Sequence, residues 1–263
     1  MSADNWGHRA RFGIFIVGAE VVPEAEWWAM APRGVSIHAA RVTAKAPWAA
    51  WDAERISVTL SPDLERGADQ FASMALDAVT VAHSSSSVLG GDGWDAAVTT
   101  ALQHRLPSDT IVTTNGADCA LALEAVQAKR PLVVFPPWFG EDFAKTTTDY
   151  MRLQGIEPAG TLRNEPEAKW ATIAPSDLYA NGMHLEQRPD LLLQQIASAC
   201  PDTADSVLLV GTGLRCVSII EKLEAELHRP VVTANQASLW RCLQLAGVND
   251  PISGYGRLLS QPR

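Results

Sequence analysis

One stretch constrains this chain more than any other. The four apolar residues Val207-Leu-Leu-Val210 run straight into Gly211-Thr-Gly213, and after an amphipathic run to His228 comes a second apolar burst, Pro230–Ala234. So short an apolar run is too brief for a helix and suits a strand buried on both faces. The glycines let the backbone turn sharply and leave amide N–H groups free. Cys216, Ile219, Ile220, Leu223 and Leu227 then recur at helical spacing, which predicts a helix from about Leu214. Strand, turn, helix and strand in succession describe a parallel-sheet unit. Its turn sets a helix N-terminus at the carboxyl edge of the sheet, where an anion is favoured.

Similar units recur along the whole chain. Phe12–Val17, Val35–Val42, Ala78–Ala82, Thr110–Thr113, Pro131–Phe135 and Pro158–Leu162 read as further strands. Helices are expected from Ser61 (serine cap, proline in the first turn) to about Leu76, from Gly93 to Arg105, to Lys129 after Thr114-Asn-Gly116, over Glu141–Leu153, Leu191–Cys200 and Asn235–Ala246. Pro23–Pro32 and Pro47–Asp52 read as loops, His83–Ser87 as a turn, and Asn164–Pro189 as a polar loop with short helical turns. The alternation predicts an α/β fold in two lobes. Residues 1–108 with 235–263 form the N-terminal lobe, and residues 109–234 the C-terminal one. Turns at strand ends, Gly18–Glu20, His83–Ser87, Thr113–Gly116, Pro137–Trp138 and Gly211–Gly213, would then converge on one cleft.

A net charge of −9 speaks against a nucleic-acid or anionic-membrane surface, which needs a basic patch. Four dispersed cysteines, with no CxxC pair, read as free thiols in a reducing, cytoplasmic setting and not as a disulfide frame or zinc site. Arg9 and Arg11 before Phe12–Val17 superficially resemble a signal peptide, but Glu20 follows closely and no small-x-small cleavage site ends the run. No stretch approaches the ~20 apolar residues of a bilayer span.

Gly211-Thr-Gly213 lacks the third glycine of a dinucleotide fingerprint, since Cys216 stands there; Gly-Lys-Ser/Thr and His-Glu-x-x-His motifs are also missing. No metal and no cofactor is therefore implied. The hydroxyls of Ser84 and Ser85 can cradle a carboxylate, although a serine-rich loop is also an ordinary surface feature. His83 can act as acid or base near neutral pH, or simply hydrogen-bond. Thr113 and Thr114 add hydroxyls at a strand end. Trp138 can wall an apolar pocket or pack in the core, and Glu20 can be a base at the end of the first strand or a helix cap. The cysteines fit the core better than a nucleophilic role.

Together, Val81-Ala-His-Ser-Ser-Ser-Ser87 with Gly90-Gly91, Thr113-Thr114, Gly211-Thr-Gly-Leu-Arg215, Val231–Trp240 and Gly254–Leu258 resemble the aspartate/glutamate racemase superfamily, in its maleate isomerase and arylmalonate decarboxylase branch. The resemblance covers nearly the whole chain. It implies two pseudo-symmetric Rossmann-like lobes with parallel four-stranded sheets, a cofactor-free site in the cleft between them, a small-molecule carboxylate substrate, and a homo-oligomer. In the resembling isomerases and racemases a cysteine from each lobe flanks the substrate; the decarboxylases keep only the second. Here His83 stands at the first cysteine position and Gly211 at the second, and Trp138 replaces a carboxylate-binding tyrosine.

Glycine cannot supply the low-pKa thiolate that addition chemistry needs. What the resemblance leaves is an anion cradle: Ser84, Ser85, Thr113, Thr114 and the amides of Gly211, Thr212 and Gly213. The expectation is a cofactor-independent lyase of decarboxylase type. It would act on a small, aryl- or alkyl-substituted carboxylic acid through an enolate-like intermediate, with His83 or Glu20 moving the proton and Trp27, Trp28 and Trp138 near an apolar substituent. A cis-trans isomerase or hydrolase of a small unsaturated diacid or its amide, and a non-catalytic carboxylate-binding protein, are the alternatives.

Overall fold

The computed structural model describes residues 6–52 and 54–261. The ends of the expected N-terminal lobe, residues 1–5 and 262–263, lie outside the described residues. The chain begins with β1 (Ala10–Val17), α1 (Val22–Met30), β2 (Val35–Val42), β3 (Ala49–Asp52) and β4 (Ser57–Leu60). It continues through α2 (Pro62–Ala72), β5 (Ala78–Val81), α3 (Ser84–Gly90), α4 (Trp94–Gln103), β6 (Ile111–Thr114) and α5 (Asn115–Ala125). Then come β7 (Pro131–Phe135), α6 (Glu141–Leu153), β8 (Gly160–Arg163), α7 (Pro175–Leu178), α8 (Pro189–Ala199) and β9 (Ser206–Leu209). The last elements are α9 (Ile220–Leu227), β10 (Val231–Thr233), α10 (Ala234–Leu245) and α11 (Gly256–Ser260).

Two parallel four-stranded sheets result, ordered β2-β1-β5-β6 and β10-β9-β7-β8, beside a small antiparallel β3-β4 hairpin. Counting strands within each sheet, both have the order 2-1-3-4, so the lobes repeat one topology. In each, the order reverses between the first and third strands, and loops at such a switch point open a crevice at the carboxyl edge. β5, β7 and β9 are buried along their whole length, as expected of parallel strands covered by helices on both faces.

The boundary expected at residue 109 is corrected. β6 pairs with β5 in register from Ala78↔Ile111 to Val81↔Thr114 and completes the first sheet, so the lobes divide between α5 and β7. Near the C-terminus, α10 packs on α1, α5 and β5, whereas α11 returns to α9 and β10. One buried cluster runs through both lobes, joining Phe12, Ile14, Ile16 and Trp27 to Val133, Leu208, Val232 and Leu239. A second fills the outer face of the first sheet, around Phe15, Trp48, Leu64 and Trp94. Along β1, then, alternate side chains feed different cores, as the period-two pleat requires.

Three local readings change. Residues Pro23–Pro32 contain α1, because proline in a first turn loses no helical bond and Val22, Glu26, Trp27 and Met30 form one buried stripe. Pro47–Asp52 leads into the β3-β4 hairpin. The serine run opens the helix α3, and the hydroxyls of Ser84, Ser86 and Ser87 find partners described below. Among the described residues, no helix is long and apolar enough to cross a membrane.

Candidate active site

The loops after the first and third strands of each sheet meet around a cavity of about 170 Å³. From the first lobe come Val17 and Glu20 after β1, and His83, Ser84 and Ser85 after β5. The second lobe supplies Trp138 and Phe139 after β7, Gly211, Thr212 and Gly213 after β9, and Tyr179 from the turn after α7. The side-chain and main-chain groups that line it carry no cationic residue, so its polarity comes from neutral donors and one carboxyl group.

His83 is held, not free to titrate near neutrality. Its ring stacks on Trp48 with centroids 4.1 Å apart, and Nδ1 lies 2.8 Å from Ser86 Oγ. Ser86 Oγ also accepts the Trp48 amide at 3.0 Å, which ties the ring to the loop before β3. Burial pushes the imidazole pKa down to about 3, even though an edge of the ring stays accessible. The expectation that His83 titrates near neutral pH is therefore corrected: it is a neutral imidazole with one donor.

The serines divide by role. Ser84 Oγ accepts the Gly211 amide at 3.2 Å and donates to Asn115 Oδ1 at 2.6 Å, bridging the two lobes. Ser87 Oγ donates to Asp95 and accepts the Gly116 amide. Ser85 lines the cavity, and among the described residues its hydroxyl has no partner. Of the expected cradle, then, the Ser84 hydroxyl and the Gly211 amide hold each other. Ser85 and the amides of Thr212 and Gly213, which donate to no acceptor among the described residues, remain open to a ligand.

Glu20 is delivered by Arg41, whose guanidinium donates to the Gly18 and Glu20 carbonyls at 3.2 and 2.8 Å. The Glu20 side chain is buried, accepts the Thr212 hydroxyl at 3.2 Å, and lies so close to Gly213 that a Cβ there would sit 2.6 Å from Oε1. Desolvation raises its pKa to about 7, against the weaker lowering by Thr212. The carboxyl can therefore both hold and release a proton at neutral pH.

The helix expected from Leu214 begins later, with a 3-10 turn at Val217–Ile219 before α9. Its opening amides already hold a carboxyl group of the chain's own. Glu26 Oε1 accepts Cys216 and Val217 N–H at 2.7 and 3.0 Å, and Oε2 accepts Asn235 Nδ2 at 2.7 Å. Asn235 Nδ2 also reaches the Thr212 carbonyl at 2.9 Å, which fixes the glycine turn from behind. The helix terminus thus orients the turn and is not itself the substrate's anion site.

Thr113 and Thr114 do not reach the cavity. They end β6, the fourth strand of its sheet, one strand away from the switch point. Thr113 Oγ1 instead donates to Asp118 Oδ2 at 3.0 Å, and the Thr114 hydroxyl is buried without a partner among the described residues. Trp27 is wholly buried in the core and Trp28 is surface-exposed; neither lines the cavity. Nor does any cysteine: burial pushes the Cys119, Cys216 and Cys242 thiols up, away from the reactive thiolate. Tyr179, Phe139 and Val17 are the cavity residues that sequence patterns missed. Phe139 and Val17 adjoin strand ends already singled out, whereas Tyr179 lies in a polar, proline-broken segment with no periodic signal. Among the described residues, no three or more His, Cys, Asp or Glu side chains gather where they could hold a metal ion.

Two equivalent α/β lobes with a small pocket between the loops of their first and third strands define a two-lobed α/β protein with its candidate site in the cleft. Comparison with known proteins narrows this class. The fold is similar to the maleate isomerase Iso from Pseudomonas putida S16, with a TM-score of 0.78, 22% identity, and 95% of this chain and 98% of that one covered. It is also similar to the Nocardia farcinica maleate cis-trans isomerase (0.76, 18%, 95% and 98%) and to an arylmalonate decarboxylase (0.68, 20%, 95% and 99%). No curated protein matches the sequence significantly. A family model for arylmalonate decarboxylase matches residues 61–259, and the chain belongs to that family. It is accordingly an enzyme of the arylmalonate decarboxylase family, with a fold shared by arylmalonate decarboxylases and maleate isomerases among its structural neighbours.

Proposed function

We propose that the protein is a cofactor-independent decarboxylase of small substituted malonates. The observation that carries this reading is Glu20: a buried carboxyl group, poised near neutral pH, in a cavity that no thiol lines. Isomerisation by thiol addition lacks its nucleophile here. Decarboxylation needs only somewhere for charge to develop and a proton to end the reaction. As the bond to one carboxylate breaks and carbon dioxide leaves, the electron pair stays on the α-carbon and delocalises into the remaining carboxylate as an enediolate. Ser85 and the amides of Thr212 and Gly213 donate to that oxygen pair, with the neutral His83 ring beside them. Fixed neutral donors of this kind are worth ~3–4 kcal/mol each in a dry site. Glu20 then gives its proton to the α-carbon and is reprotonated from solvent.

The substituent has a place as well. A second cavity of about 380 Å³ shares Val17, His83, Ser85, Trp138 and Phe139 with the first and adds Trp48, Leu89 and Phe143. Polar groups gather at one end and aromatic rings at the other, which favours an acid bearing an aryl or bulky alkyl group.

The test is carbon dioxide release from phenylmalonate and methylphenylmalonate. Glu20→Gln should lower kcat by about 100-fold or more, the scale of a general acid. Because Glu20 acts in its protonated form and titrates at about 7, wild-type kcat should fall as pH rises through that value. Undiminished turnover in the variant, or none of either malonate by wild type, would remove the reading.

A further inference from the structure

We propose that the phenol of Tyr179 is a specificity-determining donor that hydrogen-bonds an oxygen of the bound acid, an inference that rests on the cavity's taking a carboxylic acid. The ring is clamped on two sides. It stacks on His184 with centroids 4.1 Å apart and 13° between planes, and meets the edge of Trp138 at 5.5 Å and 73°. His184 Nδ1 adds a hydrogen bond to the Tyr179 carbonyl at 2.9 Å. So much fixing of a side chain would ordinarily serve a hydrogen bond made at its tip. Yet the Tyr179 hydroxyl is buried and has no partner among the described residues.

Two hydroxyls of the same cavity behave differently: Ser84 and Thr212 both engage protein groups, while the less fixed Ser85 is left open like Tyr179. A buried hydroxyl held rigid and unmatched is what a preorganised donor looks like before its acceptor arrives. The acceptor it fits is an anionic or carbonyl oxygen. Burial and the charge of Glu20 push the phenol's pKa up, so it keeps its proton and has it to offer. Tyr179 reaches the cavity from the segment between β8 and α8, so a polar donor faces the first-lobe carboxyl group across the pocket.

Tyr179→Phe separates a ligand-directed hydroxyl from a structural one. Thermal unfolding is measured without ligand, and phenylacetate affinity is measured by titration of tryptophan fluorescence. The expected result is an unliganded midpoint that is unchanged or raised, with phenylacetate bound at least about tenfold more weakly. Loss of stability in the unliganded variant, whatever its affinity, would overturn the proposal, since the hydroxyl would then have a structural partner. Unchanged affinity would overturn it too, as would failure of wild type to bind phenylacetate. Wild type that binds phenylacetate but releases no carbon dioxide from the malonates would sink the decarboxylase reading alone and leave the role of Tyr179 standing on the affinity result.

Discussion

Position 211 is closed to a side chain by the backbone itself. Gly211 has φ +89°, in the region that L side chains avoid, and a Cβ there would meet Pro136 at 3.1 Å. The turn is thus built around glycine, and a cysteine could not simply be placed there. Gly211→Cys should destabilise the protein by at least about 1 kcal/mol, the scale of a left-handed non-glycine residue, as measured by urea unfolding. It should also create no activity sensitive to thiol alkylation. A variant as stable as wild type would show that the turn relaxes more readily than this conformation allows. Glu20 was readable as the residue at the end of the first strand, but its raised pKa was not, because desolvation depends on what the other lobe places over it.

Among the elements, α3 carries the most consequence in the fewest residues. Ser84→Ala would leave the Gly211 amide and Asn115 Oδ1 without their buried partner, at a cost of about 1–3 kcal/mol. Ser85→Ala removes a hydroxyl with no protein partner, so it should leave unfolding nearly unchanged and lower turnover instead. Chemical denaturation and kinetics on the pair would test this division, and equal destabilisation by both would contradict it. From sequence the serine run reads as a turn, since serine competes with helical hydrogen bonds locally. Partners that satisfy it in the helix come from residues far along the chain. The strands of the two parallel sheets were legible because most are short apolar runs, whereas the half-exposed β3-β4 hairpin carries no such run and was not. Their order was not, and order alone decides that Thr113 and Thr114 fall outside the pocket while Trp138 falls inside.

For the molecule as a whole, three buried carboxyl groups dominate the response to pH. Glu20, Glu26 and Asp118 are each raised to about 7 by desolvation, Asp118 despite accepting hydroxyls from Ser238, Thr113 and Thr80. Folded carboxyls raised in this way stay protonated where the unfolded chain has already lost its protons. Their contribution to stability is present at low pH and disappears as pH rises through about 7. His83, lowered to about 3, acts in the opposite sense, but its contribution is complete above about 6.5, the unfolded imidazole value. Between about pH 6.5 and 8 the carboxyls act alone, and the midpoint of thermal unfolding should fall. Asp118→Asn should flatten that slope, and a midpoint that rises over this range would contradict the assignment.

The buried cluster shared by both lobes has a consequence for what each half can be. Although the topology repeats, neither repeat is an autonomous folding unit, because Phe12, Ile14 and Trp27 on one side and Val133, Leu208 and Val232 on the other complete a single interior. A chain severed between α5 and β7 would yield two fragments that are each insoluble when expressed separately. Produced together, they should assemble into a soluble complementation pair that recovers catalysis.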